Sequence, residues 1–374
     1  IFLMFASKRS ITSLVLAFVC ILSGIYLLTF HSNGQSPGQG VSARRGEVMR
    51  LLHERGLLTT EIRQKLEKAG TTEQVNAILA AGQQTGLKDV PLDADRCFSW
   101  LKKICEIGSR ASGSEGMKRQ QVMLREHFTK LGATVQMQGF DARHPLDGSR
   151  VRMENMFVQW HPEKKQRILL SAHYDTRPFP DEDPRNPRGT FVGANDGASG
   201  TALLAELAYL VRGYKGPFGI DFVLFDGEEF VFQQRGEYFL GSRYFSLAYR
   251  NEPPAYRYKW GVLLDMVADK ELQIYYELNS LRFARPLVMD IWKTAARLGV
   301  KEFRARSRHE IRDDHLPLNQ IAGIPTCNLI DFDYPRPGLN TSYWHTEKDL
   351  PENCSGVSMA RVGWVVWEWL KQAK

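Results

Sequence analysis

The hexapeptide FDGEEF at 225–230 places three acids within four positions, Asp226, Glu228 and Glu229, at the end of the apolar run IDFVLF. An Asp-Gly pair suits a tight turn, which accounts for Asp226 and Gly227. It leaves unexplained two glutamates crowded where a buried strand ends. Further ionisable residues recur along the chain: His173 in AHYDT, Asp196 in GANDGASG, Asp265 in LLDM, Asp313, Asp314 and His315 in IRDDHLPL, and His345 in YWHTEKD. Gathered at one place, so many carboxylates repel one another and resist desolvation unless a cation or protons neutralise them. A divalent metal is the economical answer, and oxygen and imidazole donors without thiolates suit a catalytic zinc with one position left open. Each residue alone has a plainer reading, since a lone Asp at a strand end caps a helix or forms a turn and His315 fits a structural histidine. The conjunction carries the metal reading: a Gly-rich turn opening a helix, a double Glu ending a strand, and a late His.

These residues need elements that bring them together. From residue 93 onward, strand and helix patterns alternate. ATVQMQGF, NMFVQW, RILLSAHYD, IDFVLFDGEE, GVLLDMV and IPTCNLIDF read as strands. FSWLKKICEIG, MKRQQVMLREHFTKLG, SGTALLAELAYLVRG, LRFARPLVMDIWKTAARLG and SMARVGWVVWEWLKQ read as helices. The alternation predicts an α/β domain with a mixed, largely parallel central sheet and helices on both faces. In such sheets ligands sit beyond the carboxyl ends of the strands. His173 with Asp175, Glu228 with Glu229, and Asp265 all fall at strand ends.

AHYDT, FVGANDGASGTALLAELA, LFDGEEF, GSRYF, LLDM, DDHLP with GIP, and WHTEKD, in that order over residues 93–374, resemble the zinc-dependent aminopeptidase and glutaminyl cyclase superfamily. The resemblance implies that Asp196, Glu229 and His345 hold a zinc ion and that Glu228 is the general acid/base beside it. In the aminopeptidases a second metal shares Asp196 and adds His173 and Asp265 as ligands. In the cyclases one zinc suffices, and the counterparts of Asp265 and Asp313 form a hydrogen-bonded catalytic network. On either branch the substrate is a peptide or protein N-terminus, and FDGEEF holds one Glu for metal and one for protons.

The doubled acid of IRDDHLP and the Trp344-His345 pair resemble the cyclases, with Ile311 and Tyr334 where cyclases place pocket walls. Other features point to the aminopeptidases. The cyclase tryptophan after the double Glu has no counterpart in FVFQQRGEYF, Arg312 stands where a cyclase has Gln, and ANDGASG is aminopeptidase-like. The expectation is a glutaminyl-peptide cyclotransferase, with a two-metal aminopeptidase as the alternative and an inactive binding ectodomain as a minor one.

The rest of the chain bounds the setting. Lys8 and Arg9 precede twenty uncharged residues, 11–30, long enough as a helix to cross a hydrocarbon core of about 30 Å. Residues 1–30 therefore read as a signal anchor or a signal peptide. The flanking charge puts the catalytic domain on the non-cytoplasmic side, membrane-anchored or secreted. Residues 31–45 read as a flexible linker, 46–92 as a helical stalk or subdomain and 93–374 as the catalytic domain. A net charge of +7 over 374 residues, without aromatic interleaving of its basic residues, gives no nucleic-acid surface. Five cysteines are too few for a disulfide framework, and whether any pair forms is open.

Overall fold

The computed structural model describes residues 37–54, 57–58, 60–84, 89–232, 235–335 and 342–374. The expected membrane segment, residues 11–30, lies outside them. Among the described residues no helix is long and apolar enough to cross a membrane.

Among the described residues three helices come first: α1 (Pro37–Glu54), α2 (Thr60–Lys68) and α3 (Thr72–Gln84). They close on a small core of their own around Val48, Leu52, Leu66, Val75 and Leu79. Of the flexible linker expected over 31–45, residues 31–36 lie outside the described residues, and over 37–45 the expectation is corrected, because α1 is helical from Pro37. Proline is tolerated in a first helical turn, where its missing N–H would have no partner. Arg44 donates to Asn76 Oδ1 at 2.9 Å and Arg45 to the Ala69 carbonyl at 2.8 Å, tying the middle of α1 to α3 and to the residue after α2.

The larger unit starts with α4 (Ala94–Cys105) and α5 (Glu115–Lys130). Their N-termini are capped by Asp93 and Ser114, whose side chains accept from the N–H groups of Arg96 and Met117. Then follow β1 (Thr134–Arg143), β2 (Arg150–Trp160), β3 (Gln166–His173), α6 (Ala198–Val211), β4 (Gly219–Phe225), the short ribbon β5 (Val231–Phe232) and β6 (Arg235–Gly236), and α7 (Leu240–Asn251). The chain continues through β7 (Arg257–Asp265), β8 (Ile274–Tyr276), α8 (Leu278–Leu298), β9 (Phe303–Ser307), α9 (His315–Gln320), β10 (Thr326–Ile330) and α10 (Gly356–Leu370).

Six strands form the central sheet in the order β1-β2-β4-β3-β7-β10. β4, β3, β7 and β10 run parallel, and β2 pairs antiparallel with both β1 and β4. Because successive side chains point to opposite faces, β3 sends Ile168 and Leu170 to one layer and Leu169 to the other. The first layer holds α4, α5, α6, α8 and α10, with Phe222, Leu224, Val262 and Leu264 beneath them. The second holds Phe245 of α7 and Leu318 of α9 against Val223 and Phe225. The mixed sheet with helices on both faces is the architecture the sequence pattern predicts. α7 and α9 are the helices that pattern missed, and the short ribbons β5-β6 and β8-β9 were missed as well. Cys97, Cys105, Cys327 and Cys354 are buried free thiols, and Cys20 lies outside the described residues.

Candidate active site

The carboxyl ends of the four parallel strands meet at one edge, and the site is built there. β4 stops at Phe225, and the chain turns through Gly227 at φ +77, where a Cβ would lie 2.8 Å from Met153 Sδ. Asp226 is buried as a brace, accepting from Ser112 Oγ at 2.6 Å and from the Glu154 N–H at 2.9 Å. Burial, reinforced by Asp175, pushes its pKa up to about 7. The next two N–H groups, of Glu228 and Glu229, donate to the two oxygens of Asp175 at 3.2 and 3.0 Å. Asp175 therefore grips the loop and presents both glutamates at the strand ends. The three acids of FDGEEF divide: Asp226 braces the turn, and Glu228 and Glu229 face the site.

Asp196 arrives on the Gly-rich turn before α6. Its N–H and that of Asn195 donate to Asp349 at 3.0 and 2.7 Å. Gly197 stands at φ +84, where a Cβ would approach the Asp175 carbonyl to 2.6 Å, so a side chain there would collide with the backbone behind the site. The two oxygens of Asp196 look in different directions. Oδ1 lies 3.1 Å from His173 Nε2, and Oδ2 lies 3.5 Å from His345 Nε2. His173 Nε2 is also 3.3 Å from Asp265 Oδ1, and His345 Nε2 is 2.6 Å from Glu229 Oε1. Two groups of possible metal ligands result, His173 with Asp196 and Asp265, and Asp196 with Glu229 and His345, the ligand atoms of each lying within 4.8 Å of one another. Asp196 belongs to both.

The electrostatics are those of a crowded anionic cluster in a dry place. Burial and then Glu229 push Asp196 up to about 6. Burial would also raise Glu229, but His345, Arg177 and His173 outweigh it and hold it down at about 2. Arg177 supports it directly, with its N–H donating to Glu229 Oε2 at 2.9 Å and its guanidinium 3.4 Å from Oε1. Burial pulls His173 down, yet Asp175, Asp196 and Asp265 together lift it well above its ordinary value. Glu228 is raised well above the carboxylate range, first by burial and then by Glu229, Asp313 and Asp314 against the opposing pull of His173. A carboxylate held ionised among others forced upward is the donor set a divalent cation would relieve, and its oxygens and imidazole nitrogens, without sulfur, fit zinc.

A cleft of about 340 Å³ opens over these groups, lined by Asp196, Glu228, Glu229, Asp265, Asp313 and His345, with Met266, Ile311, Ile330, Phe332 and Trp344 as apolar walls. Trp344 stacks on His345, centroids 3.7 Å apart and planes inclined by 24°. The two acids of IRDDHLP divide. Asp313 faces the cleft, accepting from Asn328 Nδ2 at 2.7 Å and the Asp314 N–H at 2.5 Å, and burial together with Asp265 raises it to about 7. Asp314 is turned away and accepts from Ser242 Oγ at 2.5 Å. His315 is buried 3.2 Å from Glu277 Oε2. Its structural reading holds.

Tyr334 is a correction. Expected as a pocket wall, it does not line the cleft; it is buried behind it and donates its hydroxyl to Asp349 Oδ1 at 3.1 Å, supporting the carboxylate that holds the Asp196 turn. Phe332, two residues earlier and just past β10, provides the wall. Met266, Asp349 and Asn328 carry no expectation in the sequence, and Asp175 stands there at a strand end without a role. Phe332 and Met266 follow parallel strands, so the strand-end rule that found Asp265 would have found them. Asn328 lies inside a strand and gave no such signal.

Residues 155–370 match the model of Peptidase family M28, and the chain belongs to that family. It is similar to the crystal structure of Fimbriiglobus ruber glutaminyl cyclase at 38% identity and TM-score 0.72, covering 76% of this chain and 96% of that one. It resembles a leucine aminopeptidase precursor from Bacteroides thetaiotaomicron at 32% identity and TM-score 0.70, covering 76% and 99%. A glutaminyl-peptide cyclotransferase of Drosophila melanogaster is 23% identical over 239 residues, 58% of this chain and 63% of that protein. The chain thus spans under two thirds of that relative's length.

Proposed function

We propose that this chain is a zinc-dependent glutaminyl-peptide cyclotransferase, converting an N-terminal glutamine to pyroglutamate with release of ammonia. Asp196, Glu229 and His345 would hold the ion, which when bound supplies Lewis acidity to the side-chain amide carbonyl. Glu228, ionised once the ion's positive charge offsets the carboxylates that raise it, takes a proton from the α-amino group as its nitrogen attacks Cδ of the glutamine. The bond from Cδ to the amide nitrogen then breaks, and Glu228 returns the proton to the departing ammonia. One C–N bond forms, one breaks, and no water is consumed. Asp313, raised by burial and Asp265 to about 7, is placed to share a proton within the acidic cluster, and Asp265 to accept from the substrate's amine. Ile311, Phe332 and Trp344 exclude water from the folded glutamine side chain.

The observation that carries this reading is Asp313, a buried acid fixed by Asn328 in the wall of the same cleft as Glu228. Hydrolysis of the first peptide bond needs a base and a water but no such third acid. Asp313→Ala in the zinc-loaded enzyme is expected to abolish ammonia release from a Gln-initiated peptide. A variant that still cyclises at the wild-type rate would overturn the assignment. A second reading, a two-metal aminopeptidase, is favoured by the group formed by His173, Asp196 and Asp265. There Glu228 would take a proton from water and pass it to the leaving amine. The N-terminal segment 11–30 is proposed to hold the domain at a membrane on its non-cytoplasmic side.

A further inference from the structure

We infer that Arg312 sets a preference for peptides whose second residue is acidic, Gln-Glu or Gln-Asp at the N-terminus. The inference rests on the cyclase reading for residue one and concerns what lies beyond it. The first residue of a substrate has to place its reacting atoms against Glu228 and the metal ligands, which are buried at the cleft floor. The second residue therefore leaves toward the lining residues that are exposed, Tyr238, Glu310 and Arg312.

Two of these mouth residues are charged, and they differ in one respect. Glu310 is 3.5 Å from Arg282, so its charge is matched by a neighbour. Arg312 has no hydrogen bond or ion pair among the described residues. The residues outside the described set contain no Asp or Glu that could neutralise it. Arg308, four residues earlier in the chain, is held by Asp333 at 2.6 Å. Arg312 is also placed by its neighbours: Ile311 is fixed by its N–H to Glu277 Oε1 at 3.0 Å and by Asn279 Nδ2 to its carbonyl at 3.0 Å, and Asp313 by Asn328. A flexible cation thus stands on a rigid base at the exit, with its charge unspent. A planar guanidinium suits a carboxylate.

Exposed ion pairs are weak, so the expected effect is about two- to fivefold in kcat/KM, shrinking at high salt. The test uses zinc-loaded protein and the C-terminally amidated peptides Gln-Xaa-Ala-Phe and Leu-Xaa-Ala-Phe with Xaa as Glu, Ala or Lys, at low and high ionic strength. Glu above Ala above Lys is expected, flattened in R312Q and reversed in R312E. Equal rates across Xaa, or a ranking that R312E leaves unchanged, overturn the inference. If the Gln series is not cyclised but the Leu series is cleaved with the same charge ranking, the cyclase reading fails and the role of Arg312 stands. If neither series reacts, dissociation constants of the same peptides give the ranking, and the same two outcomes decide.

Discussion

Replacing Asp175 by asparagine tests how the two glutamates are presented. Asp175 accepts from the N–H groups of Glu228 and Glu229 at 3.2 and 3.0 Å, all three residues being buried, and its Oδ1 lies 3.6 Å from His173 Nδ1. Hydrogen bonds to a charged acceptor are worth about 1.5–3 kcal/mol each, and a buried donor left unpaired costs about 1–3 kcal/mol. Asparagine keeps the shape but offers one acceptor, so its NH2 must face the second N–H. The expected loss is about 2–4 kcal/mol, read as a lower urea midpoint with unchanged slope. Oδ1 also faces His173 Nδ1 at 3.6 Å, so the nitrogen takes the place of Oδ2 and meets the Glu229 N–H; zinc affinity should then fall about 10–100-fold, as for partners that orient a ligand. Competition with a chromophoric chelator measures it. An Asp175→Asn protein with a wild-type urea midpoint and a zinc Kd within about twofold of wild type would refute the reasoning.

Four further outcomes follow. Glu229→Gln should lose zinc, whereas Glu228→Gln should keep zinc and lose turnover by at least about 100-fold; equal behaviour of the two in metal analysis would contradict the division of roles. Tyr334→Phe removes only the hydroxyl bonded to Asp349, so stability should fall by about 1 kcal/mol with KM unchanged, while Phe332→Ala should raise KM. In metal-free protein, Asp313 carries a folded pKa of about 7, above its unfolded value. The native state then binds the extra proton between the two values, so stability should fall as pH rises through that window, at up to about 1.4 kcal/mol per pH unit. Urea melts from pH 5 to 8 should show that slope reduced in Asp313→Asn. The full-length chain should stay in the pellet on alkaline carbonate extraction of membranes, and its release would remove the anchor proposal.

The sheet was legible because its strands are short apolar runs ended by turn residues, and the ligand candidates because strand ends marked them. α7 escaped because its sequence, LGSRYFSLAYRN, alternates small, polar and aromatic residues, and a left-handed Phe239 precedes it instead of a capping side chain. The supporting residues escaped for a different reason. Asp175, Asp349 and Asn328 act by accepting or donating across gaps of 53, 153 and 15 positions, and no local pattern encodes such a partner. Tyr334 was misassigned because it stands four residues past the end of β10, where the chain has left the strand and the alternation that would put it on the same face as Phe332 no longer applies.

The central claim is cyclisation in preference to hydrolysis. Purified zinc-loaded protein incubated with a Gln-initiated and a Leu-initiated peptide of otherwise identical sequence, followed by mass spectrometry, tests it directly. The Gln peptide is expected to lose the mass of ammonia and nothing else while the Leu peptide is unchanged. Release of free leucine with the Gln peptide's mass unaltered would contradict it and move His173 and Asp265 into the role of metal ligands.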